Sequence, residues 1–136
     1  LGKIPFGDEY TEVLNIASKQ QLHLKDVELD MMGIDHQEVG LMIAEKWKLN
    51  EVITACIGSH HKTDGLTEEA GKQIAFVALG DIYANILDHG YAGNPFPKED
   101  NIGQLLEHVG LDWDQFCGIG GRVGEELKKA EIFLQL

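Results

Sequence analysis

GIDHQEVGLMIAEKWKLNEVITACIGSHH, residues 33–61, decides how this chain folds. The stretch reads as two helices joined by a tight turn. Gly33 closes whatever precedes it. Asp35 can cap a helix, and Glu38 follows three residues later, as a capping box requires. His36 takes the first helical position, where a charged imidazole gains nothing from the helix dipole. This helix should run to about Trp47. Asn50 then caps a second one, from Glu51 to about His60. The link is only Lys48, Leu49 and Asn50, and so short a link favours antiparallel neighbours.

Helical phase says where the histidines point. His36, Val39, Gly40, Ile43 and Trp47 share one face, so His36 lies on an apolar stripe and is expected to face inward. Ile53, Cys56, Ile57 and His60 share a face of the next helix, and His61 stacks at its edge. At about 1.5 Å per residue the two arms have similar lengths. His36 and the His60-His61 pair should therefore meet at the same end of the hairpin.

The rest of the chain is also helical in period, and alternating strand patterns are scarce. Asp8 can cap a helix through about Gln20, and Asp26 a short one ending at Gly33. Thr67, followed by Glu68 and Glu69, opens a long helix ending near Asp88, with Gly90 behind it. Residues 91–100 hold Gly93, Asn94, Pro95 and Pro97 and read as a loop. A short helix follows from about Ile102 to Val109, closed by Gly110. Asp112 caps a last stretch whose glycines (118, 120, 121 and 124) argue against helix in its first half. In its second half Val123, Leu127, Ala130 and Leu134 form one stripe. The expected fold class is all-α, a single domain over residues 1–136. No internal repeat or low-complexity segment interrupts it. GIGGRVG, residues 118–124, is not a phosphate loop. No strand precedes it, Val123 stands at the third spacing position, and no Gly-Lys-Ser/Thr follows.

A carboxylate joins the histidines. On the long helix the stripe runs Ile74, Val77, Ala78, Asp81 and Asn85, with Asp81 in the middle of the inward face. A buried unpaired carboxylate is expensive, so something positive should meet it. A metal ion is one candidate. Three histidines with an aspartate suit Fe, Mn, Zn or Ni better than Ca or Mg. Each residue alone has a plainer reading. An inward His36 is more often a hydrogen-bonded core histidine. Asp81 could cap a neighbouring helix or pair with Lys3. His60 and His61 could simply mark a helix C-terminus, where imidazolium is favourable. The convergence of helical phases weakens these readings taken jointly. His23, His89 and His108 read as surface or helix-end residues, Trp47 and Trp113 as core anchors, and residues 125–131 as a solvated face.

Bulk composition narrows the function. The 136 residues are 43% hydrophobic and 25% charged, a globular profile with room for a core. The net charge of −12 argues against nucleic acid and anionic lipid as partners, both being polyanions, and suits a protein that binds cations. No apolar run approaches the roughly 18–20 residues that span a membrane, and there is no signal-peptide pattern. Cys56 and Cys117 match no metal or redox spacing and read as reduced, small apolar residues of a cytoplasmic protein. The chain begins Leu1-Gly2-Lys3 without an initiator Met, which reads as a fragment of a larger fold.

Residues 33–61 resemble the core segment of the HDOD domain, a branch of the HD-domain superfamily. The shared pattern is Asp-His, Glu-Val-Gly, a Trp closing the helix, a short turn and a His-His pair. ALGDIYANIL, residues 78–87, is similar to the following helix, which carries the superfamily's Asp. LGKIP, residues 1–5, is similar to the tail of the segment in which a His-Asp dyad is followed by Gly-Lys. The resemblance covers most of the chain and is strongest from Gly33 to Leu87. It implies an HD-type helical bundle. It also implies metal ligands at His36, His60, His61 and Asp81, for one or two divalent transition ions, by likeness to metal-dependent relatives such as the HD-GYP phosphodiesterases of cyclic di-GMP. Lys3 matches a lysine that contacts substrate phosphate in such relatives. Two departures stand against catalysis. The dyad itself is absent, since the sequence starts where it would end; His and Asp are the residues expected before Leu1. HHKTDGL, residues 60–66, lacks the Gly-Tyr-Pro signature. HDOD domains are generally seen as signalling output modules, so the leading expectation is a regulatory module coupled to other domains of its parent chain or to signalling partners. The alternatives are a metal-dependent phosphohydrolase, with Lys3 and Asp81 in the reaction and a phosphate-containing ligand, and a metal-free helical scaffold.

Overall fold

The computed structural model describes residues 7–66, 70–86 and 99–134. Among these residues there are seven helices and no strand: α1 (Asp8–Gln20), α2 (Leu24–Met32), α3 (His36–Lys46), α4 (Glu51–Ser59), α5 (Gly71–Ile86), α6 (Glu99–Val109) and α7 (Trp113–Leu134). The all-α expectation is met. No described helix is long and apolar enough to cross a membrane.

The caps explain most boundaries. Asp35 accepts from the Glu38 amide at 2.8 Å, and the Glu38 carboxylate reaches back to the Asp35 amide, so the capping box is complete. Asn50 accepts from the Ile53 amide at 2.9 Å and starts α4. Two expected caps are displaced. α1 begins at Asp8 itself, with Gly7 as its N-cap. α2 begins two residues before Asp26, because the His23 carbonyl already accepts from the amides of Asp26 and Val27. Asp26 instead lies in the first turn, where its charge favours the helix dipole. Thr67 and residues 87–98 lie outside the described residues, and so do the expected start and end of the long helix and most of the expected loop.

α7 overturns the doubt about its glycines, since it is helical without a break from Trp113. Asp112 and Gln115 cap it reciprocally, at 2.7 and 2.9 Å. Gly120 is needed for close approach: a Cβ there would lie 1.7 Å from the Tyr83 hydroxyl. Tertiary contact thus outweighs the low helix propensity of glycine.

Each helix packs mainly on its sequence neighbours. Val13, Ala17, Leu24 and Val27 form one core between α1 and α2. Ala75, Leu79, Leu105, Leu106 and Phe116 anchor a second across α5, α6 and α7. The α3–α4 hairpin lies between them and rests on α5. Its crossing is tight. A Cβ on Gly40 would stand 2.5 Å from an Ile57 methyl, and one on Gly58 2.7 Å from a Leu41 methyl. That contact turns α3 so that Gln37 and Ala44 are buried. Val39, Ile43 and Trp47, expected to face inward, are exposed, Trp47 by 70%. Trp113 is exposed by 54%, so neither tryptophan anchors the core. Cys56 is half-buried and Cys117 exposed, both as free thiols.

Candidate metal centre

The hairpin brings the histidines together. α3 starts at His36 and α4 ends at Ser59, so the antiparallel pair places His36, His60 and His61 at one end. The three offer ring nitrogens that all lie within 4.8 Å of one another, the only such group among the described residues. All three side chains are half-buried.

Each ring is held by a different device. Glu28 is 1% exposed, on the buried stripe Leu24, Val27 and Glu28 of α2. Its Oε2 accepts from the His36 backbone amide at 2.9 Å and meets His36 Nδ1 at 2.5 Å. Its Oε1 accepts from the Tyr10 hydroxyl at 2.7 Å. Burial alone would raise the Glu28 pKa, but these bonds from His36 and Tyr10 outweigh it and hold the carboxyl below its usual range. An ionised Glu28 is acceptor-only, so His36 carries its proton on Nδ1 and turns the Nε2 lone pair outward. His60 is held likewise: Nδ1 donates to the Ile57 carbonyl at 2.9 Å, leaving its Nε2 free to ligate. A carboxylate or carbonyl that fixes the far nitrogen is the usual support of a metal-binding imidazole.

His61 sits at the centre. Its Nε2 lies 2.7 Å from His36 Nε2, and its ring centroid is 4.2 Å from that of His60 and 4.9 Å from that of His36. With His36 Nε2 as acceptor, His61 Nε2 supplies the proton between them. Its pKa is lowered to about 3, first by burial and then by the charges of His60, His36, His23 and Lys25. A neutral imidazole is the form that ligates metals. Lys25 itself is tied to Asp35 at 3.3 Å and to Gln37 at 2.7 Å, which pins α2 to the start of α3.

Asp81 stands apart from this group. It is half-buried on α5, and its carbonyl and carboxylate accept from the Asn85 amide at 2.8 and 3.2 Å. A side-chain amide one turn on is thus one partner of this carboxylate. Lys3 lies outside the described residues. Sequence reasoning missed Glu28, although its 24/27/28 spacing places it on the apolar stripe of α2. It also set aside His23, whose ring meets His61 edge-on at 6.3 Å.

A cleft of about 500 Å³ opens beside His36. Tyr10, Met32, Val39 and Ile43 wall it, with the buried carboxylates of Glu28 and Asp35. Among the described residues that line it there is no lysine or arginine to receive a phosphate.

Comparison with known proteins agrees with the resemblance read from residues 33–61. The HDOD domain family model matches residues 4–63, a span that takes in Glu28, His36, His60 and His61 but not Asp81. The solved structure of an HDOD domain protein with unknown function from Geobacter sulfurreducens superposes with a TM-score of 0.65 at 23% identity, over 88% of this chain and 44% of that one. It shares the fold. An uncharacterized protein of Treponema pallidum (strain Nichols) is 27% identical over 92 residues, which is 65% of this chain and 18% of that protein. The chain thus spans less than half the length of either.

Proposed function

We propose that this chain is a regulatory module of HDOD type whose trihistidine centre binds a divalent transition metal ion. The observation that carries the reading is the set of three imidazoles with ligating atoms within 4.8 Å, two of them oriented by Glu28 and by the Ile57 carbonyl. An all-nitrogen donor set fits Zn, Fe, Ni or Mn better than Ca or Mg. His36, His60 and His61 would hold the ion, and Asp81 would join only by leaving Asn85. When bound, the ion supplies a Lewis acid that ties the start of α3 to the end of α4. The chain's own residues prepare this by orienting the rings and excluding water from Glu28. Regulation then follows from coupling: an ion that fixes the hairpin end changes how α3 meets α2, and so what its exposed apolar edge presents to the rest of a parent chain or to a signalling partner.

Metal analysis of the purified chain tests this. About one equivalent of transition metal is expected, lost in His61→Ala. No uptake of Zn, Mn, Fe or Ni by the wild-type chain would overturn the reading. Turnover of phosphodiesters, abolished in Asp81→Asn, would replace it with the hydrolase.

A further inference from the structure

His61 has three imidazole neighbours, not two. His60 and His36 lie at 4.2 and 4.9 Å between ring centroids, and His23 stands third, edge-on at 6.3 Å. His23 comes from a separate element, the junction between α1 and α2. It holds the N-cap position of α2, where Ser, Thr, Asp or Asn would satisfy an orphan amide, yet it makes no capping bond. A histidine there forgoes a local interaction worth about 1 kcal/mol. Its half-buried ring lies against His61 instead.

Three protein ligands leave a transition ion open to water, as hydrolytic sites require; four close it, as structural sites do. Glu28 of α2 lies nearer, but its two oxygens are engaged by His36 and Tyr10 and already fasten α2 to His36. The His23 ring, at the N-cap of the same helix and against His61, is the further imidazole brought to the group from outside the α3–α4 hairpin. We infer that His23 is the fourth ligand of this centre, turned in from its edge-on position when the ion binds, so that the site is closed by protein. The inference rests on the trihistidine reading. It deepens that reading by making the metal a staple between α2, α3 and α4, unsuited to activating water.

Cobalt(II) titration followed by visible absorption reads both coordination and affinity. The wild-type chain should give the intense band of a four-coordinate site. His23→Ser restores a good N-cap, so the fold should hold, while the band should weaken as water enters and the affinity should fall at least tenfold. His23→Cys gives a positive signature: a thiolate-to-cobalt charge-transfer band in the near ultraviolet, absent from the wild type although Cys56 is present in both. Equal bands and affinities in wild type and His23→Ser, with no charge-transfer band in His23→Cys, would overturn the inference and leave the trihistidine site standing. No cobalt binding by any of the three would overturn both.

Discussion

Glu28→Gln is the sharpest perturbation of the centre, because it keeps shape and removes only charge. The wild-type carboxylate accepts three bonds, two from His36 at 2.9 and 2.5 Å and one from Tyr10 at 2.7 Å. A glutamine can keep its carbonyl oxygen toward His36 and turn its amide toward Tyr10, whose hydroxyl can reverse and accept. The two bonds to His36 then survive but lose charge assistance, about 1–1.5 kcal/mol each. The opposite rotamer faces the amide against a buried backbone N–H and costs an unsatisfied donor as well, so the first orientation sets the penalty at roughly 2–3 kcal/mol. For a chain of this length that is a fall in melting temperature of about 10 °C. Metal affinity should fall by about 10–100-fold, the usual cost of losing a ligand's outer support. Tyr10→Phe removes the bond to the other oxygen and should cost about 1 kcal/mol with metal affinity unchanged. Thermal unfolding by circular dichroism and competition for Zn²⁺ against a chromophoric chelator read both quantities. A Glu28→Gln protein that melts within about 2 °C of wild type and binds Zn²⁺ equally well would refute Glu28 as the buttress of His36.

Gly40→Ala should lower stability by about 1–2 kcal/mol and separate His36 from His61, since its methyl meets the stiff, branched Ile57, outweighing the gain of about 1 kcal/mol in helix propensity; Gly58→Ala meets the turnable end of Leu41 and should cost less, and chemical denaturation ranks the two. Trp47→Ala should change stability by under about 1 kcal/mol, because the ring is 70% exposed, while Leu105→Ala, at 1% exposed, should cost about 2–5 kcal/mol; equal losses would mean the hairpin edge is core after all. In the metal-free chain, stability should rise with pH from about 3 to 6.5 and then level off. Within that window the unfolded state holds a proton on His61 that the folded state refuses, so the slope is positive. Its ceiling is about 1.4 kcal/mol per pH unit for one proton, less here because solvent screens a half-buried ring. Below about pH 5 the lowered carboxyls of Glu28 and Asp35 add to the same slope. Denaturant midpoints between about pH 5.5 and 6.5 therefore isolate the imidazole, and a flat profile there would mean His61 titrates normally.

The parts of the fold that local chemistry determines were legible in the residues. Asp35 with Glu38 and Asn50 with Ile53 bond within one turn, so their spacing alone fixes where α3 and α4 begin. The meeting of His36 with His60 and His61 needed only those starts, a three-residue link and the helical rise. What failed depended on partners distant in sequence. The glycines of α7 look like helix breakers until Tyr83 is seen against Gly120. Trp47 looks like core until Gly40 seats on Ile57 and turns that edge of α3 outward.

The same distinction runs through the site. Periodicity places a residue on a face, but it does not say which residue of another helix it will meet. Glu28 and His36 are eight positions apart on different helices, and their bond depends on Gly33, in the left-handed conformation at φ +71, turning the chain back on itself. Asp81 shows the converse. Of its stripe Ile74, Ala78 and Asn85 are buried, but Val77 is exposed and Asp81 only half-buried, and there a carboxylate can satisfy itself one turn along its own helix through Asn85. A buried carboxylate therefore implies a donor and does not say which. The three histidines are more informative, because an imidazole fixed through Nδ1 has one remaining lone pair to direct. Two of those lone pairs are directed here by Glu28 and the Ile57 carbonyl toward one small volume. Burial disfavours protonation of His61, the ring between them. Three ring nitrogens gathered within 4.8 Å, with the central ring held neutral, are the observation on which the proposed metal centre rests.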